Sequence, residues 1–348
     1  MSNGAESQNK DDMEQYFFRV SAEDFKNIEG SPIAYWVSPT ALNAFKGETV
    51  DKHFAAKKGM AIGDNAKFLR RWTEVSRGAI NLTAMTPEDT KIEKWYPCLH
   101  GGPFRKWSSN KEFVVNWKCD GCEPKSAITD KTGDHWSRYI ISTDFFFKSG
   151  INWTAISSSS YSARFHEEGF AFTSASMAAF SQAGDTRHLL CLVNSVVGKY
   201  YLSLLSPTLN YGIAELKKIP LLTGNLSEGF TSLANDLIST STADWNFYET
   251  SWNFQSFPLL TPDHRQATVK AAYRKLRARW REMTLEMQSL EEENNRLFID
   301  AYSLQDDLTP EVPLSEITLT CNPHYRYGGD KTEEELEALL LAERQIAV

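Results

Sequence analysis

The most regular pattern of apolar and polar positions lies between residues 269 and 297. Apolar side chains recur at Val269, Tyr273, Leu276, Trp280, Met283, Met287, Leu290 and Leu297, with a polar Asn294 in the same register. The steps alternate between 4 and 3, which is a heptad seam. Thr261-Pro262-Asp263 supplies a helix start, with a capping residue, proline at the first position and an early acid. A long helix is therefore expected over 261–300. The seam suits a coiled-coil partner, or a docking face on the same chain, such as residues 186–204. Spacing alone does not name the partner helix.

A second helical pattern covers 186–204. Leu189, Leu192, Val193, Val196, Val197, Tyr200, Tyr201 and Leu204 fall at three- and four-residue steps. SPTLNYG breaks it, AELKKIPLL stops at Pro220, and another helix is expected near 226–240. Between 95 and 172 the period changes. WYPCLHGGPFRKW, EFVVNWKCDG, YIISTDFFFKSG, INWTAI and SARFHEEGFAF read as short strand-like pieces separated by turn residues. The segment 58–75 reads as glycine turns with Phe68 and Trp72 four apart. YFFRV near the start reads as a strand, followed by a helix capped by Ser21 and ended by Ser31-Pro32. Glu316–Thr320 alternates like a strand, and TEEELEALLLAERQIAV like an acidic amphipathic helix. The expected class is α+β: a β-rich core at about 58–172, closing helices at about 186–240, a long helix that resembles a coiled-coil strand, and an acidic helical tail.

The 348 residues, with 41% hydrophobic and 12% aromatic content, suit a protein with substantial cores. No apolar run approaches the ~20 residues that span a bilayer, so no membrane partner is expected. The opening MSNGAESQNKDDMEQ, residues 1–15, has no apolar signal core and reads as a disordered leader, which makes a cytoplasmic location the expectation. Five cysteines, an odd count, point to reduced thiols. Cys98-x-His100 and Cys119-x-x-Cys122 are poorly spaced for zinc, and Cys119–Cys122 more simply brackets an Asp-Gly hairpin turn. No metal is expected.

The net charge of −8 is unevenly spread. Residues 41–170 hold 19 basic and 15 acidic residues, 264–281 hold 7 and 0, and 282–348 hold 4 and 16. Two basic zones thus sit in an acidic chain, and local fields steer polyanions more than the total does. The zone at 264–281 could lie along a phosphate strand or pair with the acidic tail. In the β-rich region, cations alternate with aromatics at Arg70, Arg71, Trp72, Arg105, Lys106, Trp107, Lys111, Lys118, Lys148 and Arg164. Lysine and arginine neutralise phosphates, arginine reads guanine, and asparagine reads adenine. Asn110, Asn116 and Asn152 lie near the same turns. The alternative is a β-domain with buried tryptophans and a mixed solvated surface.

Asn322-Pro323-His324-Tyr325, after the strand-like 316–320, partly matches the Asn-Pro-Pro-Tyr loop with which amino-methyltransferases hold a target base. Its second proline is replaced by His324. A methyltransferase also needs a glycine turn between strand and helix for S-adenosylmethionine, and none of Gly59-x-x-x-Gly63, Gly101-Gly102 or Gly328-Gly329 sits in that context. Gly-x-Ser-x-Gly, Walker and HExxH patterns are absent, and the acidic pairs, including Glu291–Glu293, read as solvated faces. No catalytic or cofactor-binding residue is assigned.

The blocks GMAIGDNAKFLRRWTEV, WYPCLHGGPFRKWSSNKEFVVNW, FFFKSGINWTAISSSSYSARF, RLFIDAYSLQDDLTPEVPLSEITL and CNPHYRYGGDKTEEELEALLLA, in this order, resemble the adenine-specific DNA methyltransferases of BREX phage-resistance systems, the PglX group. The resemblance runs from about Tyr16 to about Ala342. It implies a target-recognition domain over 16–260, a spacer helix over 261–300 and a C-terminal segment at 301–348 that continues in the family. The family's S-adenosylmethionine fold and its catalytic loop lie upstream of these blocks. The resemblance therefore implies duplex DNA as partner, no S-adenosylmethionine site in this chain although the complete enzyme uses that cofactor, and a lookalike role for 322–325. Restriction-modification and antiviral defence are the implied setting. The competing expectations are a remnant or regulator that binds another BREX subunit or the methyltransferase portion through the heptad helix, and a methyltransferase with an unrecognised cofactor site.

Overall fold

The computed structural model describes residues 37–156, 160–182, 185–206, 210–222 and 227–343. The leader, the YFFRV strand and the helix expected at Ser21 lie outside them. The fold is α+β, as expected, and its strands form two four-stranded sheets. In the first, β1 (Phe54–Lys57), β8 (Ser176–Ser181), β5 (Gly150–Thr154) and β6 (Ala163–His166) pair antiparallel in that spatial order. In the second, β2 (Leu69–Arg71), β4 (Phe113–Asn116) and β3 (Trp95–Leu99) pair antiparallel, and the two-residue β7 (Ala171–Phe172) joins β3 in parallel. Aromatic side chains fill the space between the sheets, with Tyr96, Trp117, Phe146, Phe147, Phe172 and Phe180 all buried.

Several segments depart from the sequence reading. YIISTDFFFKSG forms no strand before Gly150. It makes a short 3-10 turn at Thr143–Phe145, and its phenylalanines serve as core filler. Residues 65–68 form a single helical turn, α2 (Asn65–Phe68), which follows α1 (Pro39–Ala44) and is capped by Asp64. Cys119–Cys122 is not a hairpin. Cys119, Asp120 and Gly121 take left-handed backbone angles and open helix α3 (Lys118–Thr132). The turn is held by the Gly121 N–H on the Trp117 carbonyl and the Asp120 N–H on the Thr90 hydroxyl. Gly121 is required there, because a Cβ would stand 2.7 Å from the Trp117 ring.

The helices build the second core. The pattern at 186–204 splits at Ser195 into α4 (Arg187–Asn194) and α5 (Val196–Leu205), bent by 73°. The Ser195 hydroxyl accepts from the Gly198 N–H and so caps the second piece. α6 (Ile213–Lys217) and α7 (Ser227–Asn246) follow. α8 (Val269–Tyr302) begins later than Thr261-Pro262 suggests. That triplet forms a 3-10 turn, and Thr268 is the actual cap, its hydroxyl accepting from the Ala271 N–H. No single helix among the described residues is long and apolar enough to cross a membrane.

The seam of α8 is used within the chain. Tyr273, Leu276, Trp280, Met283 and Met287 are buried in the core that also holds α4, α5 and α7, and each such large side chain contributes about 1.5–3 kcal/mol. Val269 is exposed, while Leu290 and Leu297 are only half-buried. From Met287 onward the buried stripe passes through Glu291, Asn294, Phe298 and Tyr302. A straight helix drifts by about 20° per heptad against a 3.5-residue repeat, so the covered face moves one residue past the heptad positions. The docked, own-chain arrangement of this helix is therefore the one observed. The terminal elements are α9 (Pro323–Tyr327) and α10 (Glu333–Glu343). Glu316–Thr320 is not a strand. After a 3-10 turn at Leu314–Glu316, the N–H groups of Thr320 and Cys321 donate to the Asp244 carboxylate at 2.6 and 3.0 Å, so a side chain replaces a partner strand.

Candidate nucleic-acid interface

The cations singled out in the sequence divide into an internal group and a surface group. Arg105, Lys106, Trp107 and Arg164 come together, but inside the molecule. The loop 104–107 runs beside β6, where Trp107 bridges to Arg164, and is clamped from the other side by α8 and the 317–325 segment. Lys106 is 1% exposed and ion-paired with Glu291 of α8, itself 3% exposed. The Trp107 Nε1–H donates to the second oxygen of the same carboxylate at 2.7 Å. Burial pulls the Lys106 ammonium below its usual range, and the charge of Glu291 pushes it back up.

Arg105 donates to the Thr320 hydroxyl at 2.7 Å and lies 3.9 Å from Asp244. Its guanidinium faces the rings of Trp245 and Tyr325. Arg164 is fully buried, donating to the Asn152 side-chain carbonyl at 3.3 Å, the Thr154 hydroxyl at 3.1 Å and the Arg105 carbonyl at 3.4 Å. Burial pulls its guanidinium down to about 10. In this arrangement Lys106, Trp107 and Arg164 offer no surface to a phosphate. That corrects the expectation drawn from their spacing, because alternating cations and aromatics also describe a buried polar network. The three asparagines are likewise enclosed. Asn110 donates to the Pro103 carbonyl, Asn116 to Glu123, and Asn152 to the Arg164 carbonyl.

Lys111 is largely buried, paired with Glu167 and close to the Phe170 ring. Arg70 folds back onto the Ala66 and Leu69 carbonyls. Trp72 donates its indole N–H to the Thr250 carbonyl at 2.9 Å. Arg71 is exposed beside Glu112 at 3.3 Å. Lys118 and Lys148 are exposed. Lys148 shares the Phe145 ring with Lys57, at 5.1 and 4.5 Å from its centre. Lys57 was missed by the sequence reading because it lies in the short strand β1, which has no alternation. Glu291 was read as solvated, although it follows Met287 by four and precedes Asn294 by three, the spacing of the buried face.

The Asn322-Pro323-His324-Tyr325 segment is built for packing. Asn322 is buried, donating to the Leu314 and Ile317 carbonyls at 2.7 and 2.8 Å, and its oxygen accepts from the His324 N–H. It thereby caps α9. Tyr325 donates to the Phe104 carbonyl. The adjoining cavity, lined by Arg277, Arg281, Leu285 and His324 among others, holds about 60 Å³, well below the roughly 300 Å³ at which small-molecule sites begin. Neither the amide nor the ring is turned toward a substrate. Among the described residues, no group of three or more histidines, cysteines or acids could hold a metal ion.

Two sheets, a docked long helix and a returning C-terminal segment thus form an α+β unit with an internal charged anchor and separate exposed cations. Along nearly its whole length this unit is homologous to a segment of the adenine-specific methyltransferases. The chain is 37% identical over 311 residues to the adenine-specific methyltransferase PglX of Lacticaseibacillus casei (strain Zhang), covering 87% of this chain and 26% of that protein. It is 31% identical over 321 residues to the adenine-specific methyltransferase BrxX of Escherichia coli O9:H4 (strain HS), covering 91% and 25%. The chain spans about a quarter of the length of these relatives. These alignments bear out the resemblance read from the five sequence blocks. No protein-family model matches. Among solved structures, the chain is similar to the Type IIL restriction-modification enzyme MmeI in complex with DNA, at 12% identity and a TM-score of 0.42, covering 86% of this chain and 36% of that one.

Proposed function

We propose that the chain is a DNA sequence-recognition part of an adenine-specific methyltransferase of the BREX type, and that it binds duplex DNA without transferring a methyl group itself. The observation that carries this reading is the alignment to about a quarter of two adenine-specific methyltransferases along most of this chain. Two further features support it. The segment that partly matches a catalytic loop has its amide and tyrosine committed to internal bonds. The exposed Arg71, Lys118 and Lys148, with the half-buried Lys57, supply cations for phosphates. S-adenosylmethionine belongs, on this reading, to the methyltransferase portion of the relatives, and recognition reaches its target together with that portion or other subunits of the system.

Fluorescence anisotropy of the purified chain with a pool of random duplex DNA tests the reading. Binding is expected at low salt, weakening at least tenfold on moving to moderate salt, with a subset of sequences enriched on selection. Absence of binding at low salt overturns it. Heat on titrating S-adenosylmethionine into the chain would overturn the non-catalytic half of the proposal.

A further inference from the structure

A cleft formed by the residues just before β1 and the end of α6 has the chemistry of a phosphate site. One wall is Phe45, Thr49, Asp51 and Lys52, and the other is Ala214, Lys217 and Lys218 at the end of α6. Its volume is about 420 Å³. The walls are fastened to each other. The Val50 N–H donates to the Ile219 carbonyl at 3.0 Å, the Leu221 N–H to the Glu48 carbonyl at 2.8 Å, and Thr49 bridges to Pro220. The lysines are thus brought together by a rigid junction, so little ordering is needed on binding.

The charges in the cleft are not balanced internally. Lys52 on one wall and Lys217 on the other face one carboxylate, Asp51, which already accepts from the Thr49 hydroxyl. The neighbouring Glu48 is committed elsewhere, bonded to His53 at 2.7 Å. Lys52 and Lys217 are exposed, and neither has an ion-pair partner among the described residues. Other cations of this molecule are ion-paired, as Lys106 with Glu291, Lys111 with Glu167 and Arg277 with Glu337. A groove with unspent cations on two fixed walls and one aromatic ring suits phosphates borne on a chain.

We infer that this cleft binds phosphate, and that the backbone of duplex DNA supplies it. The assignment of the source rests on the recognition function proposed above. The cleft adds a second contact region, formed by elements outside the β-rich core in which the sequence concentrates its candidate cations.

The test compares the full chain with a Lys52→Glu/Lys217→Glu variant and with a charge-matched control, Lys91→Glu/Lys131→Glu, whose exposed lysines lie outside the cleft. Anisotropy with random duplex DNA is measured across a salt series. The cleft variant is expected to lose about tenfold or more in affinity, and its log–log salt slope to become shallower by about 1 to 2, while the control keeps the parent slope. A parent slope in the cleft variant, or an equal change in both variants, overturns the inference while leaving the recognition function standing. If the parent chain binds no DNA, the recognition function falls. Calorimetry with inorganic triphosphate then decides the cleft itself. Binding lost only in the cleft variant would assign it to free phosphates, and no binding would remove the phosphate site altogether.

Discussion

Lys106 and Glu291 show how a residue's environment reverses its expected role. Each has the composition of a surface residue, and each is nearly inaccessible. A buried pair contributes little net stability when intact, but removing one partner strands the other charge. Glu291→Ala is therefore expected to cost on the order of 3–5 kcal/mol, since it leaves the Lys106 ammonium and the Trp107 N–H unsatisfied. The double variant Lys106→Met/Glu291→Leu should recover more than half of that loss. Urea unfolding midpoints of the two variants check the difference, and equal losses would show that the pair is not coupled. At this scale the sequence displayed the right residue types but not their depth. Arg105-Lys106-Trp107 reads equally as a DNA contact or a buried anchor, and only the carboxylate 185 positions away decides.

Helices were legible from periodicity, and their breaks were not. Apolar positions run on across Asn194-Ser195, because α4 buries most of its side chains and α5 half of its own in one core. The signs of the break are the capping Ser195 and Gly198. An added Cβ at Gly198 would overlap the Leu192 carbonyl oxygen and crowd the Val193 backbone, groups that cannot rotate away. Gly198→Ala is expected to destabilise the chain by several kcal/mol, on the scale of other overpacked cores at about 1–3 kcal/mol or more. Gly78→Ala, with no atom within 4 Å of the added carbon, should stay within about 0.5 kcal/mol of the parent. Thermal melts of both variants separate the two expectations. Strands were harder. β1 (FAAK) and β8 (SMAAFS) escaped the sequence reading because β8 lies inside the sheet between β1 and β5, with Ala178 and Ala179 fully enclosed, so polar alternation is missing. The heptad helix was visible, but its partner proved to be its own chain.

Across the whole molecule, three histidines are held neutral by burial. His166 is driven down to about 3, mainly by desolvation and then by the charge of Lys111. Desolvation also lowers His100, and it lowers His188, which stacks on Phe230 and Phe298. In the unfolded chain each titrates near pH 6.5. Below that pH the unfolded state gains protons that the folded state does not. Stability is therefore complete above about pH 6.5 and falls as pH drops toward each folded value, by up to about 1.4 kcal/mol per pH unit for His166. The melting temperature should decline between pH 7 and pH 5, and His166→Gln should make that decline shallower. An unchanged slope in the variant would show that His166 takes up its proton without unfolding.

The contact of the 317–325 segment with the 104–107 loop bears on how such modules can be exchanged. Asp244 accepts from the Thr320 and Cys321 N–H groups, 76 and 77 positions away, while Arg105 reaches Thr320 and Tyr325 reaches the Phe104 carbonyl, across 215 and 221 positions of chain. A junction drawn after the long helix, at the natural-looking seam near residue 303, would separate partners that complete one another. A chimera made between relatives must carry 104–107, Asp244 and 317–325 from the same parent. The smallest transplantable unit is then longer than its sheets suggest, and recombination breakpoints within it should be disfavoured between Phe104 and Tyr325.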